Sequence, residues 1–434
     1  MRVKTVQINW HDRLPIFSVD FDHSWQGDGW RFSTGGGDNN VRIWRLRSPQ
    51  DPLHEAQPVE FLASLNRHTA PVNVVRFSPA SGRLASAGDD GVIIIWRQVD
   101  SPPAALADHL EDSAGKETWR PAAMLRGSLA DICDLAWSPD GAFLVSASVD
   151  NTARVWDARE ARCVQVLADH SHYVQGVAWD PLNEFVATQS SDRSLRIYRW
   201  LGSRSRRAGE QVARLEASHR SMPAADGRSH RQRLFHDDNL ASFFRRPSVS
   251  PDGRLLATAA GVQRQPADAR NACFIWARDR LRAEPVLRLA GHAKPIVATR
   301  WAPCMFAEAG AGAGAGAGWL SQGPRMMLAV ASQSAVSLYD TSVGARAVGL
   351  MDGLHYAAIA DLAWAADGSH LVIVSIDGFA SVASLDQPTA ALPLPLPLHD
   401  PVPEAQPASR PAANPAAHKS QARKRVAPTL VSTL

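Results

Sequence analysis

Hydrophobic positions along this chain recur with a period of two in short runs, and the runs come in pairs. From Phe143 to Ser148 apolar and small residues alternate as in one strand, Asp150 and Asn151 turn the chain, and Thr152 to Trp156 return, so the segment reads as a β-hairpin. An Asp stands six residues before a closing aromatic four times: Asp38/Trp44, Asp90/Trp96, Asp150/Trp156 and Asp192/Tyr198. Those aromatics are spaced by 52, 60 and 42 residues, near the roughly 40 to 45 of a four-stranded propeller blade once insertions are allowed for. His68 and His170 lie 22 residues upstream of Asp90 and Asp192, and Ser128 holds that place before Asp150.

The pattern predicts an all-β, seven-bladed WD-repeat propeller over residues 1–385. One hairpin cannot cover both faces of its sheet, so blades must stack around an axis. Blades start at Ile16, Val72, Ile132 and Val174; a fifth is pieced together from "RRPSVSPDGRLLATAAG" and "NACFIW", a sixth from "PIVATRWAP" and "MMLAVASQSAVSLYD", a seventh from "IADLAWAADGSHLVIVSIDGFASVA". The seventh has only three strands unless Val3 to Ile8 supplies its last, which removes both sheet edges. The repeated His68, Asp90, Trp96, Asp150, Trp156, His170 and Asp192 are expected to be structural. A buried charge-assisted bond between His and Asp contributes about 1.5–3 kcal/mol.

Composition changes this picture little. Lys and Arg total 46 against 43 acids, a net charge of +3 over 434 residues, which suggests no nucleic-acid binder. No 18-residue apolar window and no continuous apolar N-terminal stretch is present, so neither a membrane span nor a signal peptide is expected and the chain should be intracellular. Cys133, Cys163, Cys273 and Cys304 lie 30 or more residues apart and read as buried thiols. Gly-rich phosphate loops, Gly-x-Ser-x-Gly elbows and metal-spaced His/Cys clusters are lacking, so neither catalysis nor a cofactor or metal is expected.

Three insertions interrupt the blades, at about 98–121, 201–235 and 306–323. The first is acidic (Asp100, Asp108, Glu111, Asp112, Glu117) and reads as a solvated, partly disordered loop that could also meet a basic partner. The third contains an Ala-Gly alternation from Ala309 to Gly318 with little side chain to recognise anything. The second holds eight Arg against three acids between Leu201 and Phe235, reads as disordered, and runs into "LFHDDNLASFFRRPSVSPDG". Phe235, His236, Asp237, Asp238, Phe243, Phe244, Arg245 and Arg246 combine residue types that anchor protein interfaces. The alternative is that the phenylalanines simply open blade five.

"VQINWHDRLPIFSVDF", "NVRIWRL", "FLASLNRHTAPVNVVRFSP", "ASAGDDGVIIIW", "SHYVQGVAWDP", "FHDDNLASFFRRPSVSPDG" and "IADLAWAADGSHLVIVSIDG" resemble the middle, WD-repeat subunit of chromatin assembly factor 1. The resemblance spans Met1 to about Leu385. It implies a nuclear, non-catalytic histone chaperone subunit, joined to a large and a small WD-repeat subunit, that helps deposit histones three and four on newly replicated DNA without reading its sequence. The segment Phe235 to Arg246 would then meet the large subunit or histones. A subunit of the replication-independent histone regulator A type is the alternative within this family, and a generic scaffold such as a ubiquitin-ligase substrate receptor the alternative outside it. Departures are Ser128 for a repeat His, the Ala-Gly run, and a short tail.

That tail, 386–434, carries ten prolines and reads as disordered. It ends in "ARKRVAPTLVSTL". Arg423, Lys424 and Arg425 suit a nuclear localisation signal. Followed by Val426, Pro428 and Leu430, they also resemble the short motif with which this family engages the anti-silencing function chaperone, basic side chains pairing with acids and aliphatic ones entering a groove.

Overall fold

The protein is described by a computed structural model covering residues 1–99, 116–128, 130–202, 213–223, 231–240, 242–265, 268–306, 319, 324–385 and 391–392. Seven four-stranded antiparallel sheets follow one another along the chain. The first four have strands Ile16–Phe21, Trp30–Gly36, Val41–Leu46 and Val59–Leu65; Val72–Phe77, Leu84–Gly88, Ile93–Val99 and Thr118–Leu125; Ile132–Trp137, Phe143–Ser148, Ala153–Asp157 and Arg162–Leu167; and Val174–Trp179, Phe185–Ser190, Ser194–Trp200 and Ala213–His219. Blade five is built from Ser248–Val249, Leu255–Gln265, Asp268–Ala277 and Leu287–His292, and blade six from Ile296–Trp301, Met327–Ser332, Ala335–Asp340 and Ala347–Asp352. Blade seven takes Ile359–Trp364, His370–Ser375 and Ala380–Ser384 from the end of the chain, and Arg2–Val6 from its start, paired in register Arg2 to Ser384 through Val6 to Ala380.

The first strand of each blade lies against the first strands of its neighbours, and the strand of blade seven meets that of blade one, so the sheets close into a ring. Between blades the core is made of branched aliphatics and the repeated aromatics: Val145, Val155, Val174, Val177, Trp179 and Tyr198 form one such layer between blades three and four. The third strand carries a register shift at its closing aromatic in five blades, at Trp44, Trp96, Trp156, Tyr198 and Tyr339. Such a bulge sets two residues of the fourth strand against one of the third and increases local twist, which blades fanned around an axis require.

Three sequence boundaries are corrected. Residues 98–99 and 118–121 are strand, so the acidic insertion is shorter than its pattern suggests, and 100–115 lie outside the described residues. Its ends are fastened: Gln98 and Glu117 both accept from Arg31, at 2.6 and 3.1 Å, and Lys116 pairs with Glu60. The segment 201–235 is not wholly an insertion, because Ala213–His219 is the fourth strand of blade four and Ser221–Pro223 pairs with Arg231–Arg233 in an extra hairpin. Within the Pro-rich tail, Ala391–Leu392 pairs with Met305–Phe306, where the third insertion begins. The Ala-Gly run itself, and the basic-aliphatic ending from Arg423 to Leu430, lie outside the described residues. Cys133, Cys273 and Cys304 are buried and Cys163 is half-buried, all as free thiols.

Candidate partner-binding face and charged axis

One face of the ring, here called the upper face, carries the loops that enter each blade and the turns between its second and third strands. In blade two the entering loop supplies His68 and the turn supplies Asp90. His68 Nδ1 lies 2.8 Å from the Asp90 carboxylate, His68 Nε2 lies 2.7 Å from Ser86 Oγ, and Trp96 Nε1 donates to the same hydroxyl at 2.8 Å. A single proton arrangement satisfies all four groups with a neutral ring: indole N–H to hydroxyl, hydroxyl to Nε2, Nδ1–H to carboxylate. Blade four repeats it with His170, Asp192 and Thr188, at 3.0 and 2.7 Å. Burial pulls the His170 imidazole below its usual value despite Asp192. The Asp192 carboxyl is held well below the carboxylate range because bonds from His170 and Ser194 outweigh its own burial.

Blade one has a relay that spacing concealed: His11, 27 residues before Asp38, lies 2.6 Å from it and 2.8 Å from Thr34, which accepts from Trp44 at 2.9 Å. Asp12 and Arg13 adopt left-handed backbone, φ 53° and 63°, and their loop brings His11 back over the blade. Blade seven pairs His355 with Asp377 at 3.2 Å, and the 22-residue spacing is there, but the closing aromatic that would have flagged it is missing. In blade three the relay is broken. Ser128 donates to the Ala130 carbonyl at 3.0 Å and lies 3.1 Å from Ser148 Oγ, while Asp150 turns to Arg154 and Thr152 at 2.5 and 2.6 Å.

The segment that opens blade five behaves differently from its composition. Arg245 and Arg246 are completely buried, and Phe235 and Phe244 nearly so. These four are not surface anchors, nor is Phe243–Phe244 a first strand, since that strand starts at Ser248. Leu234 and His236 instead bond across to the long hairpin of blade five, where Val262 N–H reaches Leu234 O at 2.8 Å and His236 N–H reaches Ala260 O at 2.9 Å. Arg245 spends its guanidinium on the carbonyls of His236 and Asp237. Its own carbonyl packs so tightly on Gly176 that a Cβ there would fall 1.9 Å from the oxygen, which gives the glycine of "HYVQGVAWDP" its reason.

Arg246 plugs the axis. Its guanidinium donates to the carbonyls of Phe17, Asn73 and Ala360 at 3.0, 2.7 and 2.9 Å, one each from blades one, two and seven. It also lies 3.1 Å from Asp361 and 3.5 Å from Asp134 of blade three, and its backbone pairs with Val297 and Thr299 of blade six. Arg76 joins the same two carboxylates at 2.9 and 3.2 Å, and Arg300 reaches Asp361 at 3.2 Å. With Asp20, which accepts from the Phe77 N–H at 2.7 Å, three cations and three acids meet at the centre. Burial disfavours the Asp361 carboxylate, but Arg246, Arg76 and Arg300 outweigh it and keep the carboxyl well below its ordinary range. Burial likewise brings Arg246 down to about 10, against the pull of Asp361 and Asp134, so it remains charged at neutral pH. Phe244 caps the guanidinium, its ring centroid 4.0 Å away, and Phe243 packs edge-on to Phe244 from outside.

What remains for a partner on this segment is Phe243, at 36% exposure, with Asp238, exposed, and the half-buried His236 and Asp237. Asp237 pairs with Arg193 at 2.9 Å. Among the described residues no group of three or more His, Cys, Asp or Glu could hold a metal ion.

A closed ring of seven blades with repeated His–Asp–Ser/Thr–Trp relays defines a WD-repeat propeller, a rigid frame whose loops are free to carry recognition. Residues 1–389 match the family model described as the CAF1B/HIR1 beta-propeller domain. A chromatin assembly factor 1 subunit of Gallus gallus is 37% identical over 403 residues, covering 91% of this chain and 69% of that protein. Its counterpart in Saccharomyces cerevisiae is 34% identical over 415 residues, 90% of this chain and 87% of its own. Protein HIR1 of Coccidioides immitis is 29% identical over 381 residues, 85% of this chain but 34% of that protein. The chain therefore belongs to the CAF1B/HIR1 β-propeller family.

Proposed function

We propose that this chain is a non-catalytic subunit of a nuclear chromatin assembly complex, a frame that holds a large subunit and a small WD-repeat subunit while histones three and four are deposited on DNA. The observation that carries the reading is the likeness to the chromatin assembly factor 1 relatives, which extends over about nine-tenths of the chain. That factor rather than histone regulator A is favoured because identity is higher, 34% to the Saccharomyces cerevisiae relative against 29% to the HIR1 protein. The titratable groups of the relays agree with a supporting role: each His and Asp is already satisfied by a neighbour in its own blade, which leaves none poised for proton transfer.

The proposed contact residues for the large subunit or histones narrow to Phe243, Asp237, Asp238 and His236. In the tail, Arg423, Lys424, Arg425, Val426, Pro428 and Leu430 are proposed to dock on the anti-silencing function chaperone, the basic groups pairing with acids and the aliphatic ones entering a groove. Isolation of the tagged chain from nuclei tests the assembly: a large subunit and a small WD-repeat subunit should co-purify, and a ubiquitin-ligase adaptor in their place would overturn the reading. For the tail, a peptide of Gln421 to Leu434 should lose at least roughly tenfold in affinity with Val426→Ala and Leu430→Ala, since two buried aliphatics are removed. Unchanged affinity would leave only the localisation role.

A further inference from the structure

On the upper face, between the turn of blade four and the extra hairpin at 221–233, lies an open cavity of about 450 Å³ whose walls include His172, Asp192, Arg193, Arg220, Arg233 and Asp238. Asp192 is almost fully buried and already accepts from His170, Ser171 and Ser194 of its own blade, so Arg220, 3.5 Å away and half-exposed, adds only an ion pair to it and has no other acidic partner among the described residues. Arg193 is matched by Asp237. Arg233 is exposed and makes no ion pair among the described residues. Besides Asp192, the acid that lines the cavity among the described residues is the exposed Asp238, 3.9 Å from His172. On the flanking loops two aromatics face solvent, Tyr173 at 44% and Phe243 at 36%.

We infer that this cavity receives acidic side chains of an extended peptide segment from a protein partner, with Arg220 and Arg233 as the carboxylate receivers. A guanidinium fork matches a carboxylate in two parallel hydrogen bonds, so two arginines across one cavity select consecutive or alternate acids rather than isolated ones. Tyr173, next to His172 in the chain, and Phe243, five residues beyond Asp238, offer apolar contact to a residue near those acids. A nucleic-acid backbone fits less well: its phosphates would run past Asp237 and Asp238 on the same rim, and no basic track continues beyond the cavity among the described residues. The inference rests on the reading of the chain as a docking subunit and specifies which partner chemistry one part of its surface takes.

A fluorescein-labelled peptide of alternating Glu and Asp around one central Phe, titrated by anisotropy against the full chain, tests it. Wild type should bind, and Arg220→Gln with Arg233→Gln should weaken binding by at least roughly fivefold. Arg346→Gln, on an exposed turn of blade six, should change nothing. Because Arg233 is exposed, the single Arg233→Gln chain keeps its fold and should already show part of the loss; an unchanged melting midpoint verifies this. Equal affinities for wild type and double variant, no binding by either, or displacement of the peptide by a single-stranded oligonucleotide of the same charge would each overturn the assignment. Co-purification of the complex with the double variant, alongside lost peptide binding, places a failure in the cavity alone. Loss of the assembly reading leaves the titration unaffected.

Discussion

Blade two and the axis of the ring solve the same problem, a buried charge, in opposite ways. In blade two the charge of Asp90 is answered inside the blade by His68, Ser86 and Trp96, and the arrangement recurs in blades one and four with other residues in the same roles. At the axis Arg246 occurs once, comes from a segment outside the repeat, and is answered by groups from blades one, two, three and seven. A local, repeated device can be lost from one copy, as blade three shows. A single shared one cannot, because removing it leaves several blades with unanswered groups at once.

Mutations that break this difference should differ in size. Arg246→Met should destabilise the chain most, by about 3–5 kcal/mol, since it takes the guanidinium donor from the buried carbonyls of Phe17, Asn73 and Ala360 and leaves Asp361 and Asp134 one cation poorer; a loss under 1 kcal/mol in chemical denaturation would mean that the axis is held mainly by packing. Acid should act next, on buried histidines, those of the relays among them, rather than on the axis. Burial holds His11, His170 and His355 below their ordinary value of 6.5, so each binds its proton more readily unfolded. Their contribution is complete above about pH 6.5 and drains away as pH falls below it, whereas the depressed Asp192 and Asp361 carboxyls withdraw theirs only below about pH 4. The melting midpoint should accordingly drop between pH 7 and pH 5, and His170→Gln should flatten that drop.

Asp90→Ala should cost about 1.5–3 kcal/mol, because it leaves the fully buried His68 without its acceptor. Asp150→Ala should cost about 1 kcal/mol: its side chain is 13% exposed and its partners Arg154 and Thr152 can turn to water. Equal losses at the two positions, read as urea midpoints, would erase the distinction between relay and local pin. The smallest effect sharpens it from the other side: Ser128→His rebuilds the donor opposite Asp150 and should stabilise blade three by up to about 1 kcal/mol.

Much of this was legible in the chain and some of it was not, for physical reasons. Alternation and turn chemistry placed the hairpins, and the three-stranded remainder at Ile359 to Ser384 pointed to a first strand at Val3 to Ile8, observed at Arg2–Val6. The relay of blade one escaped because its loop is five residues longer, and Ala213–His219 was hidden among arginines whose stems can lie along an outer strand with their heads in water. Arg245 and Arg246 misled most. An arginine pair beside two phenylalanines reads as surface, since burying a guanidinium is rare and costly; what offsets that cost, the carbonyls of Phe17, Asn73 and Ala360, lies 114 to 229 residues away along the chain and leaves no local trace.

The seam of blade seven sets a timetable. Residues 2–6 leave the ribosome long before their hydrogen-bond partners, Ala380–Ser384. At about 5–20 residues per second, some 20–75 s pass before the two can meet. For that interval the first strand, the edge of blade one and the empty centre awaiting Arg246 are all open to other chains, and nothing in the blades already made can shut them. Synthesis of this subunit therefore contains an obligatory waiting period, during which a holdase or a co-translational partner has its opportunity and an aggregating neighbour has the same one.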